Sequence, residues 1–230
     1  MIEHLFVDFD DTVYDTRGNA QIALGELYDA LHFERHFASL EQFTSIFWPH
    51  NDHLWREYAQ GNITRQQLII DRFRHPLAQV GVHLSDEESV AVSDKFLSFT
   101  SVKTGVVADA HEVMRYLHSK YRIHMTSNGF HEVQLPKLRA CGLQPYFDTI
   151  ILSEDGPANK PSPLYFDYAL QRAGASRHNT FVIGDNPIAD MQGAHYSHLP
   201  HIWFDRGRGI APQHPPTHTI TRLTQLYDLL

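Results

Sequence analysis

Two patterns of apolar residues alternate along the chain and divide it into three stretches. Residues 4–9, HLFVDF, form one short apolar run that opens directly into acidic residues, and this predicts a buried strand. From about residue 19 to residue 99 the apolar residues recur every three or four positions, which is typical of helices. This spacing predicts four helices, at residues 19–37, 39–61, 63–81 and 84–100. Residues suited to N-caps begin three of them: Ser39, Thr64 and Ser85.

The remainder of the chain, from about residue 106, alternates strand-like and helix-like segments. Four further short apolar runs predict strands at residues 122–128, 148–154, 179–185 and 200–204, and QHPPTH at 213–218 predicts a loop. Continuous apolar runs are what strands of a parallel sheet covered on both faces require. We therefore expect an α/β fold with a doubly wound, Rossmann-like parallel sheet core formed by residues 1–17 and 104–230. Residues 18–103 then form an all-helical domain inserted after the first strand.

Composition and charge narrow the class of protein. Hydrophobic residues make up 42% of the 230 residues, which predicts a packed globule and not a disordered chain. The net charge is 19 − 27 = −8, without a block of Lys and Arg, which argues against binding of a nucleic-acid polymer or a membrane surface. The single cysteine, Cys141, cannot form a disulfide within the chain, so we expect a reducing, cytoplasmic location.

Polar residues of particular kinds follow the predicted strands of the core. Asp8 and Asp10 end the first strand and point to the same side, because side chains alternate along an extended chain. The later strand ends contribute Ser127 and Asn128, then Lys160, then Asp185. Since ligands of open α/β sheets bind at the carboxyl ends of the strands, we expect these residues to meet at one edge of the sheet.

This set of side chains suits phosphoryl transfer. Two carboxylates at about 4 Å repel each other by about 4 kcal/mol at an effective dielectric of about 20, so a cation is expected. A few carboxylate oxygens beside a phosphate suit Mg²⁺. Asp8 is the candidate nucleophile that forms an aspartyl-phosphate, and Asp10 is the candidate general acid and base. Asp185 would complete the metal site.

Further residues complete the candidate site. Lys160, Ser127 and the backbone N–H of Asn128 are expected to bind the phosphoryl oxygens. Asp190 either supports the metal ligands or serves the first turn of its helix, where negative charge is favoured. Thr12 is expected to brace the loop after the first strand.

Four short motifs follow one another along the chain: DFDDT at 8–12, the apolar strand that ends in Ser127, Lys160 in NKPSP, and GDNPIAD at 184–190. In this order they resemble the haloacid dehalogenase-like (HAD) phosphohydrolases, and the resemblance covers essentially the whole chain. It implies that Asp8 is the nucleophile and Asp10 the acid and base. It also implies that Asp8, the Asp10 carbonyl and Asp185 bind Mg²⁺, and that the inserted domain is a C1-type cap.

Three longer segments resemble one branch of this family, the pyrimidine 5′-nucleotidases of the YjjG type. They lie at residues 51–73, 126–154 and 160–174. The expected function is hydrolysis of a small phosphorylated metabolite, by preference a pyrimidine nucleoside 5′-monophosphate, by a monomer or homodimer. A sugar-phosphate phosphatase or phosphomutase of the same superfamily is the alternative, and a non-catalytic phosphate-binding regulator is a third.

Aromatic residues in the inserted domain allow two interpretations. They are Phe43, Phe47, Trp48, Trp55 and Tyr58. Aromatic faces suit stacking on a nucleobase, but the near-helical spacing favours the core of the domain.

Overall fold

The computed structural model describes residues 1–230, and the chain divides into two compact units. Met1–Thr16 with Thr104–Leu230 form one unit, and Arg17–Lys103 form the other. Tyr14 and Val106 pair through an antiparallel bridge, which joins the two chain segments of the first unit.

The unit Arg17–Lys103 is built from helices. Its four helices are α1 (Thr16–Ala30), α2 (Leu40–Ala59), α3 (Arg65–Ala78) and α4 (Asp86–Thr100). The expected N-caps are confirmed, because each side chain accepts a hydrogen bond from a backbone N–H of the first turn: Ser39, Thr64 and Ser85. None of the helices in the protein is both long enough and apolar enough to cross a membrane.

The core of this unit is largely aromatic. Phe43 and Phe47 of α2 are buried, and both pack against Phe73 of α3. Trp48 is partly buried and lies at the edge of the same cluster. For Phe43 and Phe47, the interpretation as core residues of the helical unit is therefore confirmed.

The first helix is shorter than the apolar spacing predicts. It ends at Ala30, and the expected continuation to residue 37 is wrong. His32 adopts a left-handed backbone conformation with φ 54°, which interrupts the helix before a short 3₁₀ turn, Phe33–Arg35. Phe33 and Phe37 remain buried in the aromatic core, so their apolar character reflects packing and not one continuous helix.

The other unit is built on a six-stranded sheet in which all paired neighbours are parallel. The strands are β1 (His4–Asp8), β2 (Arg122–Ser127), β3 (Thr149–Leu152), β4 (Thr180–Gly184), β5 (His201–Phe204) and β6 (His218–Ile220). Their order is β3-β2-β1-β4-β5-β6, so the chain winds outward first on one side of β1 and then on the other. The predicted doubly wound α/β fold is confirmed.

Helices cover both faces of this sheet. They are α5 (Ala110–His118), α6 (His131–Ala140), α7 (Pro163–Ala173) and α8 (Gly193–Tyr196). Leu5 and Val7 of β1 face one apolar cluster, whereas Phe6 between them belongs to a second cluster with Tyr165 and Phe166 of α7. Alternate residues of β1 therefore enter two cores, which explains why the strand is a continuous apolar run.

Candidate active site

The carboxyl ends of β1, β2 and β4 bring the expected side chains together. β1 lies between the other two strands, and its last residue, Asp8, pairs in register with Thr126 of β2. Ser127 ends β2 and Gly184 ends β4. The residues that follow these parallel strands share one edge of the sheet, at the point where the strand order changes direction. Ligands of doubly wound sheets bind at this point.

Lys160 links two buried carboxylates at this edge. Its Nζ donates to Asp8 Oδ1 at 2.7 Å and to Asp190 Oδ1 at 2.6 Å. A third hydrogen bond, of 3.2 Å, goes to the carbonyl oxygen of Thr126, so all three ammonium hydrogens have acceptors. Burial by itself would lower the pKa of Lys160, but the two carboxylates outweigh burial and raise it. Lys160 is therefore a fixed positive charge at the end of β1.

The second carboxylate oxygen of Asp8 contacts Thr12. The Thr12 hydroxyl donates to Asp8 Oδ2 at 3.0 Å and accepts a hydrogen bond of 3.1 Å from the backbone N–H of Asp185. Thr12 thus ties the end of β1 to the end of β4. Burial and the negative charge of Asp190 raise the pKa of Asp8 well above its usual range. The Lys160 ammonium lowers this pKa, but by less than the other two effects raise it.

Asp185 begins the loop after β4, and its backbone is held from both sides. Its carbonyl oxygen accepts a hydrogen bond of 3.1 Å from the indole N–H of Trp203. Its carboxylate lies 3.2 Å from Nη1 of Arg208. Burial, followed by the charges of Asp190 and Asp11, raises the pKa of Asp185 to about 7. A negative charge at this position is therefore costly unless further positive charge is supplied.

The acidic residues at this edge fit a divalent cation. Asp8, Asp185 and Asp190 offer carboxylate oxygens that all lie within 4.8 Å of one another. Asp190 uses its two oxygens on Lys160, at 2.6 Å, and on the backbone N–H of Asn186, at 3.1 Å. The Asp190 side chain is only 1% exposed, whereas those of Asp8 and Asp185 are 10% and 8% exposed, so Asp8 and Asp185 are the carboxylates that a cation arriving from solvent reaches. Two hard oxygen donors with raised pKa values suit Mg²⁺, which takes few carboxylates and keeps several waters.

The Asp10 carboxylate has a separate set of partners. Its Oδ1 accepts a hydrogen bond of 2.6 Å from the Thr16 hydroxyl and lies 3.1 Å from the ammonium nitrogen of Lys137. Its Oδ2 accepts a hydrogen bond of 2.5 Å from the side-chain amide of Gln134. Burial would raise the pKa of Asp10, but the Lys137 charge and the hydrogen bonds from Thr16 and Gln134 outweigh burial and lower it.

Ser127 and Asn128 connect the loops around the site. The Ser127 hydroxyl oxygen accepts hydrogen bonds from the Gln134 amide at 2.7 Å and from the backbone N–H of Gly129 at 3.0 Å. The Asn128 amide donates to the carbonyl oxygen of Lys160 and accepts from its backbone N–H, both at 2.9 Å. This reciprocal pair fixes the main chain from which the Lys160 side chain extends.

Two glycines allow buried side chains to approach the backbone. A Cβ atom at Gly129 would lie 2.5 Å from Cδ of Gln134, which is closer than real Cβ atoms come to a neighbour. A Cβ atom at Gly184 would overlap the carboxylate of Asp190. Glycine at these positions makes room for Gln134 and Asp190.

The structure places all eight residues expected from the sequence around this edge. Five form one chain of direct contacts: Asp185, Thr12, Asp8, Lys160 and Asp190. Asp10 and Ser127 are joined to each other through Gln134, and Asn128 is joined to the backbone of Lys160.

Two buried polar residues of α6, Gln134 and Lys137, are not among the residues that the sequence predicts. They come next to Asp10 because β1, which precedes Asp10, pairs with β2, which precedes α6. Their signal in the sequence is weak but real: they lie one turn apart, beside the apolar residues Val133 and Leu138 of a helix that follows the second strand. Polar side chains on the apolar face of such a helix indicate a buried contact.

Comparison with known proteins identifies the family of this chain. A family model of the haloacid dehalogenase-like hydrolases matches residues 2–198. The HAD-hydrolase YfnB of Bacillus subtilis is 28% identical over 228 residues, which covers 98% of this chain and 94% of YfnB. A crystal structure of YfnB bound to magnesium has a TM-score of 0.90 with this structure, at 26% identity, and covers 100% of this chain and 98% of that chain.

Two relatives are named as pyrimidine 5′-nucleotidases. PynA of Streptococcus pneumoniae is 26% identical over 217 residues, which covers 94% of this chain and 86% of PynA. YjjG of Escherichia coli is 29% identical over 182 residues, which covers 78% of this chain and 79% of YjjG. Since the family model spans most of the chain, this protein belongs to the haloacid dehalogenase-like hydrolases.

Proposed function

We propose that this protein is a Mg²⁺-dependent phosphomonoesterase that transfers the phosphoryl group of its substrate to Asp8 and then to water. The position of Asp8 carries the proposal. One of its oxygens contacts the Lys160 ammonium and the other contacts the Thr12 hydroxyl, at the edge of the sheet that also holds Asp185. A carboxylate nucleophile needs a fixed direction and neutralised charge, and these contacts supply both.

Mg²⁺ is proposed to bind Asp8, Asp185 and the carbonyl oxygen of Asp10. When bound, the ion would neutralise the negative charge that the carboxylates and the phosphoryl oxygens bring together. The relative YfnB binds magnesium in its crystal structure, which supports magnesium as the ion. Ser127, the backbone N–H of Asn128 and Lys160 are proposed to bind the phosphoryl oxygens.

The reaction is proposed to take place in two displacements. In the first, an oxygen of Asp8 bonds to phosphorus while the bond to the leaving oxygen breaks, and Asp10 gives its proton to that oxygen. In the second, a water oxygen bonds to phosphorus, Asp10 accepts a proton from this water, and the bond between Asp8 and phosphorus breaks. Asp10 is protonated before the first displacement and again after the second, so its proton is returned within each cycle.

The proposed substrate is a pyrimidine nucleoside 5′-monophosphate. The support is the similarity to PynA and YjjG, which extends over 94% and 78% of this chain. The helical unit Arg17–Lys103 is proposed to be the C1-type cap domain of the family.

A phosphate-release assay across nucleotides and sugar phosphates, with and without Mg²⁺, tests the proposal. We expect Mg²⁺-dependent release from UMP and dUMP well ahead of sugar phosphates. Asp8→Asn should abolish release and leave the fold intact, whereas Asp29→Asn, a matched change at an exposed position of α1, should retain activity. Full activity of Asp8→Asn would contradict the mechanism.

The same assay distinguishes the alternatives. A preference for sugar phosphates would assign a sugar-phosphate phosphatase, and transfer between sugar hydroxyls without free phosphate would assign a phosphomutase. No turnover of any ester would favour a non-catalytic regulator.

A further inference from the structure

The carboxylate of Asp10 is held by two residues that lie one turn apart on α6. Gln134 contacts Asp10 Oδ2 at 2.5 Å, and Lys137 contacts Oδ1 at 3.1 Å. Residues three positions apart on a helix lie on one face, so a single helix presents both groups to the same carboxylate. Thr16 adds a third contact, at 2.6 Å to Oδ1. Both oxygens of Asp10 are therefore held in place.

Both α6 residues are deeply buried, which sets them apart from ordinary surface partners of an aspartate. Gln134 is 1% exposed and Lys137 is 8% exposed. Burying an amide and an ammonium costs free energy unless each has partners, and here the partners are Asp10 and Ser127. The side chains consequently have little freedom to move away from the carboxylate that they contact.

The Gln134 amide also couples two groups of the proposed site. Its Nε2 donates one hydrogen to Asp10 and the other, at 2.7 Å, to the Ser127 hydroxyl oxygen. An ionised carboxylate only accepts hydrogen bonds, so the amide must present its nitrogen to Asp10. Through Gln134, the orientation of the Asp10 carboxylate is therefore fixed relative to Ser127 at the end of β2.

The backbone after β2 is shaped to admit Gln134. Gly129 lies so close to this side chain that a Cβ atom would come within 2.5 Å of Cδ of Gln134. A side chain at residue 129 would therefore displace Gln134 from this place.

We infer that Gln134 and Lys137 are positioning residues that direct the Asp10 carboxylate toward the leaving oxygen of the substrate. The inference rests on the proposed function, in which Asp10 is the general acid. Proton transfer requires heavy atoms about 2.6–3.2 Å apart, so a carboxylate that turns freely is in line with the leaving oxygen for only part of the time. The α6 contacts remove that freedom before the substrate binds.

The dependence of the rate on the leaving group tests the inference. An alkoxide leaving group, as in UMP, needs a proton from Asp10, whereas p-nitrophenolate leaves without one. Gln134→Met keeps the length of the side chain and removes both hydrogen bonds. We expect this variant to lower kcat/KM for UMP by about tenfold to a hundredfold, within the range that general acid catalysis supplies. For p-nitrophenyl phosphate we expect a loss at least about tenfold smaller, because only the contact to Ser127 affects both esters and the Ser127 hydroxyl keeps its hydrogen bond from Gly129.

Variants at Lys137 provide a second test if Gln134→Met does not fold. Lys137→Met should show the same selective loss on UMP, and Lys137→Arg, which retains the charge, should recover most of it. Arg139→Met is the matched control, because Arg139 is exposed on the same helix, and both esters should react as in the unmodified protein.

The outcomes separate this inference from the proposed function. If the unmodified protein releases no phosphate from either ester, the proposed function fails. If it is active, and the Gln134 and Lys137 variants lose activity on both esters equally or on neither, the positioning role is overturned and the phosphatase assignment stands.

Discussion

Lys160 places its ammonium nitrogen 2.7 Å from the carboxylate of Asp8, although 152 positions separate the two residues in the chain. The same nitrogen contacts Asp190 at 2.6 Å, and all three residues are at least nine-tenths buried. A buried charge between two opposite charges is stable only while the group stays complete. The contact therefore stabilises this edge of the sheet.

Removal of the Lys160 charge should affect stability and rate together. Lys160→Met leaves two buried carboxylates without their cation, so we expect the free energy of unfolding to fall by about 3–5 kcal/mol. Loss of the proposed donor to the phosphoryl oxygens should lower kcat by about a hundredfold or more. Urea unfolding and a phosphate-release assay measure the two effects.

A second variant checks that the lost stability comes from charge. Adding Asp190→Asn to Lys160→Met removes one of the uncompensated carboxylates, so the double variant should be more stable than Lys160→Met alone. Equal stability of Lys160→Met and the unmodified protein would contradict this account.

Magnesium should stabilise the protein, and Asp185 should be required for the effect. Burial and nearby carboxylates raise the pKa values of Asp8 and Asp185, so a bound cation relieves a cost that the folded state otherwise bears. At about a hundredfold excess over the dissociation constant, a ligand adds about 2.7 kcal/mol to the free energy of unfolding. Thermal unfolding with EDTA or MgCl₂ measures the shift.

Asp185→Asn should abolish the stabilisation by magnesium while leaving the metal-free protein at least as stable as before. The reason is that this change removes a buried negative charge from an acidic group. A magnesium shift that is the same in Asp185→Asn and in the exposed control Asp29→Asn would show that the ion binds elsewhere.

The buried histidine pair at the opposite end of the sheet should make stability depend on pH. His4 Nδ1 and His124 Nε2 lie 3.0 Å apart, with the rings stacked. Burial, with the neighbouring His4, lowers the pKa of His124 from 6.5 to about 4. Between these values the unfolded chain binds a proton that the folded protein does not, so stability falls as the pH falls from about 6.5 and the loss is complete near pH 4.

The expected loss across this interval is about 3 kcal/mol at most. Other groups also titrate between these pH values, so the informative quantity is the difference between the unmodified protein and His124→Phe. This variant should flatten the acidic side of the stability profile, whereas His178→Gln, at an exposed histidine, should not. Parallel profiles for His124→Phe and the unmodified protein would refute the prediction.

The helical unit contains a buried cation whose removal should be stabilising. Arg72 is 2% exposed, its Nε has no hydrogen-bond partner, and its guanidinium lies 5.8 Å from the ring centres of Trp55 and Phe96. Burial lowers its pKa to about 10. Arg72→Met keeps an apolar stem of similar length and removes the charge, so we expect the free energy of unfolding to rise by about 1 kcal/mol or more.

Thermal or urea unfolding measures the effect of Arg72→Met. The control is Arg56→Met on the exposed face of α2, which should change the free energy of unfolding by less than about 0.5 kcal/mol. A clear loss of stability in Arg72→Met would mean that the guanidinium contributes more than its desolvation costs.

The parts of this fold that follow from the sequence are those set by local chemistry. Continuous apolar runs indicate parallel strands, and the acidic residues after β1 and β4 fall at one edge because parallel strands end together. The N-caps at Ser39, Thr64 and Ser85 are equally local, since each side chain bonds to its own helix.

The parts that do not follow from the sequence depend on distant contacts. β6 has only three residues, which are too few to show an apolar pattern, and it forms by pairing with β5. The expected loop at 213–218 therefore ends one residue early, because His218 begins this strand. Gln134 lies 124 positions from the carboxylate that it contacts, and no spacing rule connects them. The early end of α1 depends on the left-handed conformation of His32, a residue type that does not require it.

The reciprocal hydrogen bonds between Asn128 and the main chain of Lys160 have a consequence for how this edge tolerates change. They anchor the main chain at the point where the lysine stem begins. Residue 128 therefore fixes the Lys160 main chain together with the segment 155–159, in which Gly156 is itself constrained because a Cβ atom there would lie 2.8 Å from the Tyr168 ring. Loss of the amide of residue 128 is thus expected to displace the ammonium group even where residues 155–159 are unchanged.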